Sequence, residues 1–268
     1  MKARCLSYFR YIVAIIIAVV CSERAYAGND DDRHIVKSSM IGVGFNNVLD
    51  TYLSPEKYKG TELRYISHTT FSRDSRKWSR QAVWHGYVNL SKNRAENSNE
   101  LGGMIEFAYG WHYNWRLADG KLMLKAGGMV DAGGGFLYNT RNGNNPAQAR
   151  IRLDVRPSAV AKYDFSVRQL PLSVRYEVDF PLAGLMFSPN YGQSYYEIFS
   201  RGNYDHNIVS TYVGNAPSVR QMLTLDVKKK RTTLRVGWLG DWQQAKPNNL
   251  KQHYYTNALL LGIVKTIK

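Results

Sequence analysis

The stretch LGGMIEFAYGWHYNWRL, Leu101–Leu117, decides how the chain is read. Its odd positions hold Leu101, Gly103, Ile105, Phe107, Tyr109, Trp111, Tyr113, Trp115 and Leu117; its even positions include Glu106, His112, Asn114 and Arg116. Successive side chains of a strand point to opposite faces, so this alternation describes one strand with an apolar side and a polar side. A strand in a globular protein typically has about 5–6 residues, and this one is far longer. The question it poses is what lies against so long an apolar face.

The same period recurs along the chain. Ile151, Leu153 and Val155 alternate with Arg150, Arg152, Asp154 and Arg156. Val174, Tyr176, Val178 and Phe180 alternate with Arg175, Glu177 and Asp179. Val219, Leu223 and Leu225 alternate with Arg220 and Asp226, and Leu234, Val236, Trp238 and Trp242 with Arg235 and Asp241. Helical spacing fits none of these as well. Periodicity predicts twelve strands, at about 38–50, 60–71, 78–91, 100–117, 121–137, 147–165, 171–182, 185–200, 204–214, 217–229, 231–246 and 250–267. Pro157 falls inside the sixth, but the parity continues across it, which predicts a kink or bulge rather than a break. The links ADG, SVRQL and KKKR are tight, while those after strands one, three, five and seven are longer.

Two solutions satisfy such strands. A soluble β-sandwich or lipocalin-like barrel turns the apolar face inward. A transmembrane barrel turns it to lipid, with short periplasmic turns and longer outer loops. Several strands exceed the roughly 9–11 residues that cross a bilayer at a tilt. Aromatic residues gather toward strand ends (Trp111, Tyr113 and Trp115; Trp238 and Trp242; Tyr254 and Tyr255), as interfacial girdles do. The chain has 19 Tyr and 6 Trp, more polar-tipped aromatics than a small dry core can satisfy. These features favour an all-β, antiparallel, up-and-down transmembrane β-barrel of about twelve strands, closed because lipid satisfies no backbone group. Its polar lumen is then lined by Glu106, His112, Arg116, Arg150, Arg152, Asp154, Arg175, Glu177, Asp179, Arg220, Asp226, Arg235 and Asp241. Mixed signs among long side chains predict a plugged interior rather than a wide pore.

The N-terminus agrees. Lys2, Arg4 and Arg10 precede an apolar run from Tyr11 to Cys21 and the small-residue pattern Ala25-Tyr26-Ala27. That is a secretory leader over residues 1–27, followed by a short periplasmic segment at 28–37 and a barrel at 38–268. Both cysteines, Cys5 and Cys21, lie in the leader, so disulfides and thiolate zinc sites are excluded from the exported chain. The formal charge is +15. On an exported chain this points to anionic lipid or lipopolysaccharide phosphate rather than nucleic acid. The expected location is the outer membrane of a Gram-negative bacterium, as a monomer.

Three connections carry the composition of binding loops, rich in Tyr, Asn, Gly and Ser. DTYLSPEKYKG (50–60) holds Tyr52 and Tyr58; RNGNNPAQA (141–149) holds Asn144 and Asn145; PLAGLMFSPNYGQSYYEIFS (181–200) holds Tyr191, Gln193, Tyr195 and Tyr196. Strand parity puts all three on the outer side. Together with GDWQQAKPNNLKQHYYTNALLLGIV near the C-terminus, these stretches resemble a Bacteroides-group family catalogued as a domain of unknown function, domain of unknown function 3316. The resemblance covers nearly the whole exported chain. It implies an outer-membrane barrel and brings no activity or catalytic residues.

Chemistry is sparse. In DHNIVS, His206 and Ser210 are four apart, so a strand there would put them on one face beside Asp205, the beginning of a hydrolase constellation. A His near a strand end is more often a girdle or loop residue, and no catalytic residue is assigned. His68, His85, His112 and His253 show no metal-ligand spacing, and no metal or cofactor is expected. AGGMVDAGGGF follows no βα unit, so its glycines relieve crowding rather than cradle phosphate. The sequence thus favours a barrel whose outer loops bind a glycan or lipopolysaccharide. The alternatives are a membrane-embedded lipid hydrolase of phospholipase or deacylase type, and a narrow passive channel.

Overall fold

The computed structural model describes residues 32–229 and 232–267. The leader read over residues 1–27 lies outside them, as do the last two residues of the KKKR corner. Twelve strands are present: β1 (Arg33–Asp50), β2 (Ser54–Arg73), β3 (Trp78–Asn93), β4 (Asn99–Leu117), β5 (Leu122–Asn139), β6 (Ala147–Val167), β7 (Leu170–Asp179), β8 (Ala183–Phe187), β9 (Ile208–Tyr212), β10 (Val219–Lys229), β11 (Thr232–Ala245) and β12 (Gln252–Ile267). One short helix, α1 (Tyr195–Phe199), lies between β8 and β9.

Ten strands close the barrel, in the order β1 to β7, then β10, β11 and β12. β12 returns to pair antiparallel with β1 from Ile35↔Ile267 to Asp50↔Gln252, so no edge is left in the wall. The first strand begins at Arg33, within the segment that periodicity had left periplasmic, because residues from Ile35 onward find partners on β12.

β8 and β9 account for the difference between twelve and ten. β6 pairs with β7 up to Ser158↔Asp179 and then with β8 from Val155↔Ala183. Three residues, Phe180–Leu182, thus stand opposite two, a bulge bridged by Phe180 N–H to Pro157 O (3.3 Å) and Leu182 N–H to Val155 O (2.9 Å). Pro157 sits in an unbroken β6; the irregularity falls on its neighbour. β8 then pairs with β9, Ala183↔Tyr212 to Phe187↔Ile208, and this hairpin carries the wall of β6 beyond the closed cylinder. The predicted strand at 185–200 is therefore wrong after Phe187. Ser194 caps α1 and Glu197 returns its carboxylate to the Ser194 N–H (2.8 Å), a capping box that takes over the segment.

The start of β1 and the end of β12 share one end of the barrel with the tight turns. At Arg168 (φ 46°) and Gln169 (φ 69°) two residues reverse the chain between β6 and β7, both in the left-handed region that two-residue hairpins require. The loops carried by β1–β2, β5–β6 and β8–β9 all lie at the opposite end, the one strand parity reads as outer.

Burial decides between the two sequence solutions. Phe45 (75% exposed), Leu259 (74%) and Ile105 (65%) face outward, while Glu106 (2%) and Asp241 (0%) face inward. A water-soluble protein buries the first kind and exposes the second. The reversal is that of a barrel in lipid. Inside, an apolar layer that includes Met40, Ile66, Met129, Met222 and Leu239 and a second around Val48, Tyr87, Met104 and Tyr254 alternate with ionic layers. Tyr254, expected in the outer girdle, is fully buried and its hydroxyl bonds Glu62. Adjacent strand residues face opposite sides, so only Tyr255 of that couple can look outward. Trp78, Trp111 and Trp115 are exposed near the turn-bearing end, as a girdle requires.

Candidate functional site

The first constellation is the lumen. Arg64 on β2 donates to Glu62 (2.6 Å) and to Asp241 on β11 (2.8 Å). Arg220 on β10 joins Asp241 (3.1 Å) to Glu106 on β4 (2.5 Å). Arg152 on β6 bonds Glu106 and Gln243, and Gln243 returns to Asp241 (2.9 Å). Three arginines and three carboxylates thereby link opposite walls into one network. Their proximity is permitted by Gly133, where a Cβ would come within 2.7 Å of Met104 Cε and 3.3 Å of Glu106 Cγ.

Nearer the turn-bearing end, Glu177 accepts from Gln81 (2.8 Å) and Arg175 (2.5 Å), Arg156 engages Asp179 (2.6 Å), and Arg235 forks onto Asp226 (2.6 and 2.7 Å). Around the Glu106–Asp241 network the voids are small, about 30 Å³ in the middle of the lumen and about 30 Å³ below the β8–β9 hairpin. Each is room for about one water, so the lumen is plugged at this level.

Of the lumen residues expected from sequence, Glu106, His112, Arg152, Asp154, Arg175, Glu177, Asp179, Asp226, Arg235 and Asp241 are buried, and Arg220 nearly so. Arg150 sets its guanidinium 5.7 Å from the Tyr254 ring. Arg116 departs: it is exposed at the turn-bearing rim, 3.0 Å from Asp74. Asp74 also lies 2.7 Å from His34, and these hydrogen bonds, His34 first, hold its carboxyl below the usual range. Glu62, Arg64, His85, Asp131 and Arg156 escaped the sequence reading. Arg156 was read on the polar face of its strand but not placed among the lumen residues; the other four occupy the inward parity of strands whose polar face was not followed residue by residue, and extending the parity would have found them.

The second constellation is the outer cap. Tyr52 donates to Gln193 O (2.8 Å) and meets Tyr195 edge-on at 6.1 Å. Tyr195 donates to Gln148 Oε1 (3.0 Å) and accepts from the Ala149 N–H (2.6 Å). Asn142 donates to Leu53 O (3.0 Å). Gln193 donates to Asn203 O (3.0 Å) and accepts from Asn207 (2.7 Å). Asn248, in the link between β11 and β12, donates to His206 O (3.0 Å) and Ser188 O (3.2 Å). The three loops expected to share the outer side are therefore bonded to one another. Burial pushes the Tyr195 hydroxyl up to about 12 and raises Tyr52 as well, so both stay protonated donors.

The eight loop residues divide. Tyr52, Gln193 and Tyr195 hold the cap together. Tyr58 lies on β2 and is buried, donating to Ser98 (3.0 Å) and accepting from Asn139 (2.9 Å). Asn144 and Asn145 give their backbone N–H groups to Asn142 Oδ1 (3.2 and 3.1 Å). Tyr191 (86%) and Tyr196 (63%) project from the cap, with Phe199 and Tyr204 also exposed. The Arg201 guanidinium lies 5.4 Å over the Tyr196 ring.

Candidate catalysis finds no geometry. His206 lies in the turn before β9 with φ 51° and pairs with Asp205 (2.5 Å), whereas Ser210 is a β9 residue, so the two share no strand face. His85 lies 3.1 Å from Glu106 and 2.6 Å from Arg64, with both ring nitrogens engaged. Among the described residues no three His, Asp or Glu side chains are grouped to hold a metal ion.

Comparison with known proteins agrees with this architecture. The outer membrane protease OmpT of Escherichia coli is 9% identical and superposes with a TM-score of 0.51, over 91% of this chain and 99% of that one. At that identity the likeness shows the fold alone, that of an outer-membrane β-barrel. The transport unit of the autotransporter AIDA-I of Escherichia coli (9% identity, 94% and 96% coverage, TM-score 0.45) and the translocator domain of NalP of Neisseria meningitidis (10%, 98% and 97%, 0.42) were also matched. No curated protein matches the sequence. The chain belongs to the family described as "Protein of unknown function (DUF3316)", which matches residues 11–268.

Proposed function

We propose that the protein sits in the outer membrane of a Gram-negative bacterium and binds a glycan, such as the saccharide of lipopolysaccharide, through its outer cap. The observation that carries this reading is the division of labour among the cap's aromatic residues. Tyr52 and Tyr195 are consumed in holding it together, while Tyr191 and Tyr196 stand exposed on that ordered base. Rigid aromatic faces stack on sugar rings at little entropic cost, and polar groups of the loops such as Asn144 supply hydrogen bonds to hydroxyls. The plugged lumen disfavours passive conduction, and the separation of His206 from Ser210 removes the basis for a hydrolase there.

The test is binding of purified protein, in an uncharged detergent, to lipopolysaccharide and to its isolated saccharide. Replacing both Tyr191 and Tyr196 by Ala is expected to weaken binding about ten-fold or more, as loss of two anchors implies. Heat-modifiable gel mobility should be unchanged, because neither side chain supports the barrel. Wild-type protein that binds neither preparation, or a variant that binds as well, refutes the reading.

A further inference from the structure

At the turn-bearing end, where β1 begins and β12 ends, below the ionic layer of Glu177 and Arg175, the lumen holds a cavity of about 1310 Å³. This exceeds the roughly 300–1,000 Å³ of common small-molecule pockets. Its lining is charged with one sign in excess: ten Lys and Arg residues against three Asp. The wall itself concentrates that charge. Lys162 on β6 stands directly opposite Arg175 on β7, and it faces Met123 on β5, two residues from Lys125 on the same inward parity. Like charges facing one another across a sheet are destabilising. Asp164 (2.8 Å) relieves Lys162 and Glu177 (2.5 Å) relieves Arg175, but among the described residues Lys125 has neither hydrogen bond nor ion pair. Arg73, Arg76 and Lys121 add charge at the mouth.

Elsewhere in the lumen every inward arginine named above has a carboxylate or an aromatic ring to meet it. Here, inside the same wall, the compensating anions run short. We propose that this vestibule is a binding site for a small, multiply charged oxyanion entering from the turn-bearing end. Multivalent charge answers the clustering of Lys125, Lys162 and Arg175, which separate monovalent ions would meet only weakly. Met123, Val160 and Val264 in the same lining provide apolar contact for an organic body. Phosphate and carboxylate groups share the chemistry these side chains recognise. This site is at the opposite end from the cap and stands or falls independently of glycan binding.

Calorimetric titration of the purified protein in uncharged detergent with inorganic tripolyphosphate and, separately, with citrate tests it. Saturable binding of either anion is expected, the stronger of the two naming the class. Lys125→Met and Lys162→Met should each weaken it about ten-fold, the scale of one charge-assisted hydrogen bond. Tyr196→Ala, at the far end, should leave it unchanged. Without anion, Lys125→Met should raise Tm, since it removes an uncompensated charge. Absence of saturable binding to both anions, wild-type affinity in both lysine variants, or an unaltered Tm in Lys125→Met would overturn the proposal.

Discussion

Glu106 shows what a single residue does in this lumen. Its carboxylate receives Arg152 and Arg220 and lies 3.1 Å from His85, at 2% exposure. Two guanidiniums out of water depend on it. Removing one partner of a buried ion pair strands the others and costs about 3–5 kcal/mol. Glu106→Gln is therefore expected to lower stability by about that amount, read as a shift in the denaturant midpoint of barrel unfolding in micelles. Loss of under about 1 kcal/mol would mean that the network contributes no more than a surface pair. Glu106 was legible from its parity in Leu101–Leu117, but its partners were not. His85, Arg152 and Arg220 come from three other strands, and which side chains meet across a barrel depends on its closure and stagger, which no single strand encodes.

At the scale of elements, strands were readable and the excursion between β7 and β10 was not. The long strand β3 shows uninterrupted alternation of exposed and buried positions, and most of β4 and β5 follows it, because each has lipid on one side and the lumen on the other. Phe180–Leu182 breaks that rule by adding one residue to one partner, which reverses the parity on which the reading depended. The signature of α1, Ser194 followed by Glu197, was present but lay inside a run of aromatics that also suits a strand. That cap titrates. The Ser194 backbone N–H, then its hydroxyl, hold the Glu197 carboxyl below the usual glutamate value. A depressed folded value means that the stabilisation is complete above the unfolded value and is lost as pH falls through the folded one. Amide exchange at Ser194 and Glu197 should therefore accelerate, relative to the barrel strands, as pH drops below the ordinary glutamate range. An opening free energy that stays constant across that range would contradict it.

For the whole molecule, the apolar exterior is the property to challenge. Leu259 on β12 is 74% exposed and its neighbour Leu260 is 3% exposed, so adjacent positions report opposite environments. A charge on the lipid face of a barrel costs about 2–4 kcal/mol near the bilayer midplane. Leu259→Arg is expected to impair folding into lipid vesicles by that amount, while the same protein in denaturant is unaffected. If Leu259→Arg proves neutral in vesicles, this surface does not face acyl chains. The barrel was visible in the sequence because its periodicity is repeated in every wall strand. The cap and the vestibule were only partly visible, since loop composition cannot distinguish a tyrosine that binds from one that braces.

The β8–β9 hairpin has a kinetic corollary. It prolongs the barrel wall by backbone ladder, and α1, Asn248 and Tyr195 fasten the intervening chain to its surroundings. A platform built in this way cannot fold around a visitor without unzipping part of the cylinder. If the cap binds a glycan as proposed, capture should follow lock-and-key docking, with arrival governed by diffusion and residence by fit.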